Sequence, residues 1–235
     1  MIFPTEKNPA QPCTAMKQDI RKELKEARKA IEGLPRDGKA NTLDAYWEVC
    51  CGDVLVAEEN LRNQDREWEN TSLAEELLGI GRYLEGYDHL LSKLQWAVSR
   101  MLDALPWHPR LKLELLEYDR TLLHRIEALH GHELGESEDI EEKIDFLRRN
   151  IERADRGEFN AIEQTGHLLR DPIEWTAAYE RIIDQAEEKT AKLLEGQPRG
   201  MGFCHAYWIT KEQVLQEYGI AWKSPSVMNP RVMFD

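Results

Sequence analysis

A regular pattern of apolar positions between Ser72 and Leu105 predicts the longest helix of the chain. Ser72 followed by Glu75 is typical of a capping box at a helix start, and Pro106 cannot continue a helix. Apolar or tyrosine side chains recur at alternating steps of four and three residues, which places them on one helix face as in a coiled-coil seam. We therefore predict a single helix of roughly 50 Å, at about 1.5 Å per residue. The seam positions are Leu73, Leu77, Ile80, Leu84, Tyr87, Leu91, Leu94, Val98, Met101 and Leu105.

Similar periodicities predict helices on both sides of this segment, and no part of the chain alternates as a strand does. Short turns between long helices favour antiparallel neighbours. The sequence thus predicts an all-α fold, an antiparallel up-and-down multi-helix bundle with long heptad-patterned helices and an irregular aromatic C-terminal tail. The other predicted helices span residues 14–34, 42–64, 109–133 and 138–156, then a short helix ending near 169, a helix from 172 to 195 and a short helix starting near 210.

Proline and aromatic residues mark the two ends of the chain. Residues 1–13 hold three prolines and predict a flexible N-terminal lead, and residues 14–198 form the predicted helical bundle. Residues 199–235 form an aromatic C-terminal tail, which we expect to pack on the bundle or on a partner. Aromatic side chains anchor protein interfaces. The tail residues that we assign to such an interaction are Phe203, Tyr207, Trp208 and Trp222.

The charge of the chain excludes several classes of partner. The 235 residues carry a formal net charge of −13 at pH 7, whereas nucleic-acid binding depends mostly on Lys and Arg. Anionic membrane surfaces are disfavoured for the same reason. We find no apolar run of the length of a signal peptide or a membrane span. Four cysteines without a secretory signal indicate reduced thiols and a cytoplasmic protein.

A polar stripe lies on the predicted long helix, on the face opposite the seam. If a second layer of helices covers it, Arg82, Glu85 and His89 form a buried cluster suited to an anionic ligand or to acid–base chemistry. The alternative is an exposed face with an ordinary Glu85–His89 pair one turn apart. Three glycines between residues 79 and 86 lie beside the stripe. Each costs a helix about 1 kcal/mol relative to alanine, so they indicate close packing, access to a ligand or a kink.

A metal site has less support in the sequence than the polar stripe. A di-metal bundle site needs two Glu-x-x-His pairs, and Glu127 with His130 is the one pair we find. Magnesium-dependent cleavage of nucleotide pyrophosphates by helical enzymes uses paired carboxylates three residues apart. Glu23 and Glu26 make one such step, but the residue three before Asp53 is a cysteine. We therefore predict no metal site and no cofactor.

Two functions of different classes remain. The first is a non-enzymatic helical interaction or assembly protein, with a protein partner or self-association and without nucleic acid or membrane binding. The second is a bundle enzyme or a small-ligand-binding protein that uses Arg82, Glu85 and His89. A magnesium-dependent enzyme similar to nucleotide pyrophosphohydrolases is the less favoured form of this alternative. The heptad pattern is the same whether the seams pair within one chain or between two chains.

Overall fold

The computed structural model describes residues 19–132 and 135–234, apart from the side chains of residues 136 and 137. These residues form helices and connecting turns without any strand, which confirms the all-α prediction. The predicted lead 1–13 and the first residues of the first predicted helix lie outside this part of the chain. The α-helices are α1 (Ile20–Ile31), α2 (Ala40–Asn63), α3 (Asn70–Leu84), α4 (Leu91–Ala104), α5 (Pro109–His130), α6 (Glu136–Asp155), α7 (Ala177–Leu193), α8 (Phe203–Glu217) and α9 (Pro225–Met228).

The single long helix predicted between residues 72 and 105 is wrong, because this segment forms a hairpin of two helices. The chain leaves α3 after Leu84, and Tyr87 takes an extended backbone conformation with φ −121° and ψ 105°. Asn70 at the start of α3 donates a hydrogen bond to the carbonyl oxygen of Ala104 at the end of α4, 2.8 Å away. The two helices are therefore antiparallel. Every seam residue except the half-buried Tyr87 is nevertheless buried.

The first helix of this hairpin does not begin with the predicted capping box. Helix α3 begins at Asn70, two residues before Ser72. Ser72 therefore lies inside the first turn, where its hydroxyl donates to the carbonyl oxygen of Glu69 at 2.8 Å. Its side chain is not the N-cap, because an N-cap side chain accepts from backbone N–H groups further along the chain.

Helix α2 lies at the centre of the first core. Its buried positions extend around most of its circumference between Thr42 and Asn60. Arg28 of α1 contacts Asp53 at 3.0 Å, and Asn60 donates to Asn70 of α3 at 2.8 Å. The first core cluster unites apolar residues of α1 to α5. A helix that is apolar on most sides is buried between neighbours rather than at a surface.

Helices α5 and α6 form an antiparallel pair beside this core. Arg120 of α5 contacts Glu141 at 3.0 Å, and Arg148 of α6 contacts Glu117 at 2.8 Å. Pro109 starts α5 at the position where its missing N–H has no helical partner. Leu129, which we predict in the seam of this helix, is instead 57% exposed in its last turn. The pair buries a second apolar cluster that includes Leu123, Ile144, Leu147 and Trp175.

The segments after α6 differ from the predicted helices. The predicted short helix ending near 169 is reduced to one 3-10 turn at Phe159–Ala161. The predicted helix from 172 to 195 is interrupted at Thr176, whose hydroxyl caps α7 by accepting from the backbone N–H of Tyr179. The last predicted helix starts near Thr210, whereas α8 begins at Phe203 after a glycine with φ 81°. Side-chain caps and glycine turns therefore set these boundaries.

A third apolar cluster joins α7, α8 and the C-terminal segment through Tyr179, Ile183, Leu215 and Trp222. The segment after α8 folds back and contacts the residues that precede α7. Trp222 Nε1 donates to Glu174 Oε1 at 2.7 Å, and the backbone N–H of Lys223 donates to Asp171 Oδ2 at 2.6 Å. Within the part of the chain that the structure describes, no helix has the length and apolar character needed to cross a membrane.

Candidate functional site

The structure separates the three residues of the predicted polar stripe. Arg82 is exposed on α3 and forms an ion pair with Glu114 of α5. Glu85 is half-buried and begins the turn that follows α3, and His89 is exposed in the 3-10 turn before α4. Across the described ranges, no hydrogen bond or ion pair joins these three residues to one another. The hairpin turn lies between them, so they do not share one helix face.

A groove of about 1210 Å³ lies instead between one end of the bundle and the C-terminal helices. Its lining comes from the turn after α2 and from residues 106–108, and also from α7, α8 and the segment between them. All four predicted interaction residues of the tail line this groove. The aromatic residues of its lining are Trp68, Trp107, Tyr179, Phe203, Tyr207, Trp208 and Trp222.

A buried lysine joins helices α7 and α8 beside the groove. Lys211 is 9% exposed, and its Nζ donates to Glu187 Oε1 at 2.6 Å. The Nζ atom also lies 4.8 Å from the centre of the Trp222 ring. Burial alone would lower the pKa of Lys211, but nearby Tyr179 and Glu187 outweigh burial and hold that pKa above its usual value. Tyr207 donates from its hydroxyl to the other oxygen of Glu187.

A second buried carboxylate fixes the far end of the groove. Glu174 is 6% exposed. It accepts a hydrogen bond from Trp222 Nε1 and one from Arg170 at 3.3 Å. The Arg170 guanidinium lies 4.5 Å from the centre of the Trp107 ring. Arg170 therefore resembles Lys211 in being held between an aromatic ring and a carboxylate, an arrangement that stabilises a cation.

His108 connects the bundle to α7 at the floor of the groove. It is 2% exposed, and its Nε2 lies 3.1 Å from Asp184 Oδ1 and 3.3 Å from Thr71 Oγ1. Both contacts use the same ring nitrogen. They therefore do not form a nucleophile–base–carboxylate relay, in which the two ring nitrogens face different partners. Nδ1 is buried and has no hydrogen-bond partner in the described chain.

Carboxylates outnumber basic side chains in the groove lining. The turn after α2 contributes Glu67, which is half-buried. Burial and the nearby charge of Glu187 raise the pKa of Glu67. The acidic residues are Asp65, Glu67, Glu69, Glu174, Asp184, Glu187, Glu188 and Glu195, and the basic ones are Arg66, Arg170, Lys192, Arg199 and Lys211.

Sequence reasoning missed most of this groove. It assigned the aromatic tail residues to an interaction and placed His108 in a turn, but it gave no role to Lys211. The turn sequence Trp107-His108-Pro109 was the available signal, since it places a histidine at the start of a helix. The partners Asp184 and Glu187 lie on α7, far along the chain, and no local pattern connects them to the turn.

The carboxylates that we considered as magnesium ligands lie in different environments. Asp53 is fully buried and contacts Arg28 at 3.0 Å, whereas Glu23 is half-buried and Glu26 is exposed. Burial raises the pKa of Asp53 well above its usual value. Among the described residues, no group of three or more His, Cys, Asp or Glu side chains is arranged to hold a metal ion.

Comparisons of this chain with models of protein families, with curated proteins and with solved structures find no match.

Proposed function

We propose that this protein works by contact, and that it binds a segment of a partner protein in the groove between the bundle and helices α7 and α8. The observation that carries this proposal is the concentration of seven aromatic side chains along a groove of about 1210 Å³. Pockets for small molecules typically have about 300–1000 Å³. Aromatic side chains are enriched in protein interfaces, where they anchor the partner. A longer polypeptide segment therefore fits this groove better than a single small molecule.

Buried polar contacts hold the walls of the groove in place before any partner binds. His108 of the bundle lies 3.1 Å from Asp184 of α7, Lys211 of α8 pairs with Glu187 of α7, and Trp222 donates a hydrogen bond to Glu174. A preformed site avoids much of the entropic cost of ordering its side chains on binding. These contacts favour a dedicated binding site over an incidental crevice between two helical units.

The alternative, ligand binding or catalysis at Arg82, Glu85 and His89, has less support. Arg82 and His89 are exposed, and the hairpin turn separates them. A catalytic or ligand-binding cluster relies on convergent side chains in a concave site. We therefore assign the function to the groove.

Site-specific photo-cross-linking in the native cells tests this proposal. The photoreactive residue benzoylphenylalanine replaces Phe203, a half-buried residue of the groove, and in a separate chain it replaces Phe159. Phe159 is the matched control, because it is 39% exposed and lies outside the groove. We expect a discrete adduct with one other protein from position 203 and none from position 159.

Three results would contradict the proposal. Absence of an adduct at position 203, or equal adducts at both positions, would argue against binding in the groove. An adduct of twice the chain's mass of 27.4 kDa would identify a second copy of this chain as the occupant. The protein would then act by self-association rather than by binding another protein. Mass spectrometry of the adduct distinguishes these outcomes.

A further inference from the structure

We propose that residues 1–18 of the same chain occupy the groove in the free protein, and that a partner segment must displace them in order to bind. This inference rests on the groove-binding function proposed above and adds its regulation. Residues 1–18 precede Asp19, the N-cap of α1, and lie outside the part of the chain that the structure describes. The support comes from the place where the described chain begins, from the length and charge of residues 1–18, and from the kind of segment that an aromatic groove accepts.

The described chain begins beside the groove. Arg21, in the first turn of α1, donates to Glu69 Oε2 at 2.7 Å, and Glu69 is part of the groove lining. Arg199 of the lining donates to a backbone carbonyl oxygen at the end of α2, 2.9 Å away. Its guanidinium lies 5.9 Å from the centre of the Phe203 ring. Residues 1–18 are therefore attached next to the end of α2, which also contacts the aromatic part of the groove.

Residues 1–18 are long enough to follow the groove. In a polyproline II conformation they would span about 55 Å, at about 3.1 Å per residue. By comparison, helix α2 has 24 residues and spans about 36 Å. A segment that is tethered beside its binding site acts at an effective concentration of about 1 mM. Even modest contacts are therefore sufficient to keep residues 1–18 in the groove.

The charge of residues 1–18 is opposite to the charge of the groove lining. Residues 1–18 contain two basic side chains, Lys7 and Lys17, and one acidic side chain, Glu6, which gives a net charge of +1. The lining has eight acidic and five basic side chains, which gives a net charge of −3. Complementary charge steers a segment to its site, whereas like charges repel. The most acidic segments of this chain are therefore poorer occupants of the groove than residues 1–18.

The composition of residues 1–18 fits an aromatic groove. They contain three prolines and the apolar pair Ile2 and Phe3. Proline fixes its own φ and disfavours the helical conformation of the residue before it, so such a segment loses little conformational entropy when it binds in an extended form. Aromatic-lined grooves are typical binding sites for extended proline-containing segments. In this groove the rings of Phe203 and Tyr207 have their centres 6.5 Å apart, and both residues are half-buried.

Photo-cross-linking within the purified, intact chain tests the inference. Benzoylphenylalanine replaces Phe203 in one protein, and in the matched control it replaces Phe159, which is 39% exposed and lies outside the groove. A dilute sample is irradiated and digested with trypsin, and tandem mass spectrometry identifies the joined peptides. We expect position 203 to be joined to peptide 1–7 or peptide 8–17, in a product that keeps the monomer mass of 27.4 kDa. Position 159 should not be joined to either peptide.

A peptide added to the protein measures how strongly the chain's own segment competes for the groove. The probe is a fluorescein-labelled peptide with the sequence of residues 1–18, with serine in place of its cysteine, and binding is followed by fluorescence anisotropy. Phe3→Ala combined with Pro4→Ala in the protein removes apolar contacts of its own segment. The peptide should bind this double variant at least about fivefold more tightly than the unchanged protein, because the tethered competitor is weakened. Thr5→Ala combined with Gln11→Ala is the matched control at polar positions and should leave the affinity unchanged.

A substitution in the lining verifies that the peptide binds in the groove. Phe203→Ala, added to the double variant, should weaken binding of the peptide by about tenfold, since an aromatic side chain that is buried on binding contributes on this scale. Phe159→Ala in the same background is the matched control and should not change the affinity. Urea denaturation of each variant verifies that it is folded.

Several results would overturn the inference. One is the absence of peptides 1–7 and 8–17 from the products at position 203, and another is an equal yield at positions 203 and 159. Equal affinity of the added peptide for the unchanged protein and the double variant would show that the chain's own segment does not compete. Joined peptides found only at twice the monomer mass would place the segment on a second copy of the chain.

The failure of this inference can be distinguished from the failure of the proposed function. An adduct with another protein at position 203 in cells, without any link to residues 1–18 in the purified protein, would leave the proposed function intact and overturn self-occupation alone. A link to residues 1–18 in the purified protein, without an adduct in cells, would support self-occupation and contradict the binding of another protein.

Discussion

Replacement of Asn70 by alanine should destabilise the fold more than any exposed polar substitution. Asn70 is fully buried at the start of α3. Its Nδ2 group donates to the carbonyl oxygens of Ala57 in α2, at 3.1 Å, and of Ala104 in α4, at 2.8 Å. Its Oδ1 atom accepts from Asn60 of α2 at 2.8 Å. One side chain thus joins both ends of the hairpin to the central helix.

The magnitude follows from these three hydrogen bonds. Each contributes about 0.5–1.5 kcal/mol net, and a buried group that loses its partner adds about 1–3 kcal/mol. Asn70→Ala removes all three bonds and leaves the amide of Asn60 and the carbonyl of Ala104 without this partner. Water that enters the small space will restore part of the loss. We therefore expect the free energy of unfolding to fall by about 2–4 kcal/mol.

Urea denaturation followed by circular dichroism measures this loss. Asn63→Ala is the matched control, because Asn63 is exposed in the last turn of α2 and makes no side-chain hydrogen bond among the described residues. The control should change the free energy of unfolding by no more than about 0.5 kcal/mol. A loss below about 1 kcal/mol for Asn70→Ala, or the same loss in both variants, would refute the argument that Asn70 clamps the hairpin.

The remaining predictions concern one glycine and one buried carboxylate. Gly81→Ala would place its Cβ 2.9 Å from the Tyr118 hydroxyl and should cost about 1–3 kcal/mol, with partial recovery when Tyr118→Phe is added. Gly79→Ala, with no atom within 4 Å, should instead stabilise the helix by about 0.5–1 kcal/mol; equal effects in urea denaturation would contradict this contrast. The raised pKa of Asp53 means that the unfolded chain ionises first as pH rises, which destabilises the fold. Asp53→Asn should therefore gain stability relative to the unchanged protein between pH 4 and 7, and a constant difference over this range would refute the assignment.

Local patterns predicted the helical content but not the reversal of the chain after Leu84. The seam between residues 73 and 105 identified the buried face correctly, and only Tyr87 is not fully buried. A hairpin that turns after Leu84 keeps the same heptad spacing, because each half still buries one face. The reversal of the chain at Tyr87 depends on a long-range contact, the hydrogen bond between Asn70 and the carbonyl oxygen of Ala104. Of the close packing, ligand access or kink that the three glycines indicated, close packing is found at Gly81, where a Cβ would lie 2.9 Å from the Tyr118 hydroxyl, whereas Gly79 faces open space.

Local sequence patterns also predicted the candidate site only in part. Phe203, Tyr207, Trp208 and Trp222 were assigned to an interaction from composition alone, which stays a prediction, and all four line the groove. The carboxylates that complete the groove belong to other elements. Glu67 lies in the 3-10 turn after α2, and Glu187 lies on α7. Sequence periodicity carries no information about which distant elements meet.

The sequence by itself determined that the described chain is helical, which faces of most helices are buried, and that the C-terminal region is rich in aromatic side chains. These properties follow from the spacing of apolar residues and from turn residues such as Pro106, which act within a few positions of the chain. Only the tertiary structure decided that the longest predicted helix folds into a hairpin. It also decided that Lys211 is buried beside Glu187 and that aromatic side chains from distant segments line one groove. The physical reason is that burial, charge pairing and cavity shape depend on contacts between distant segments, whose free energies appear only when the whole core is packed.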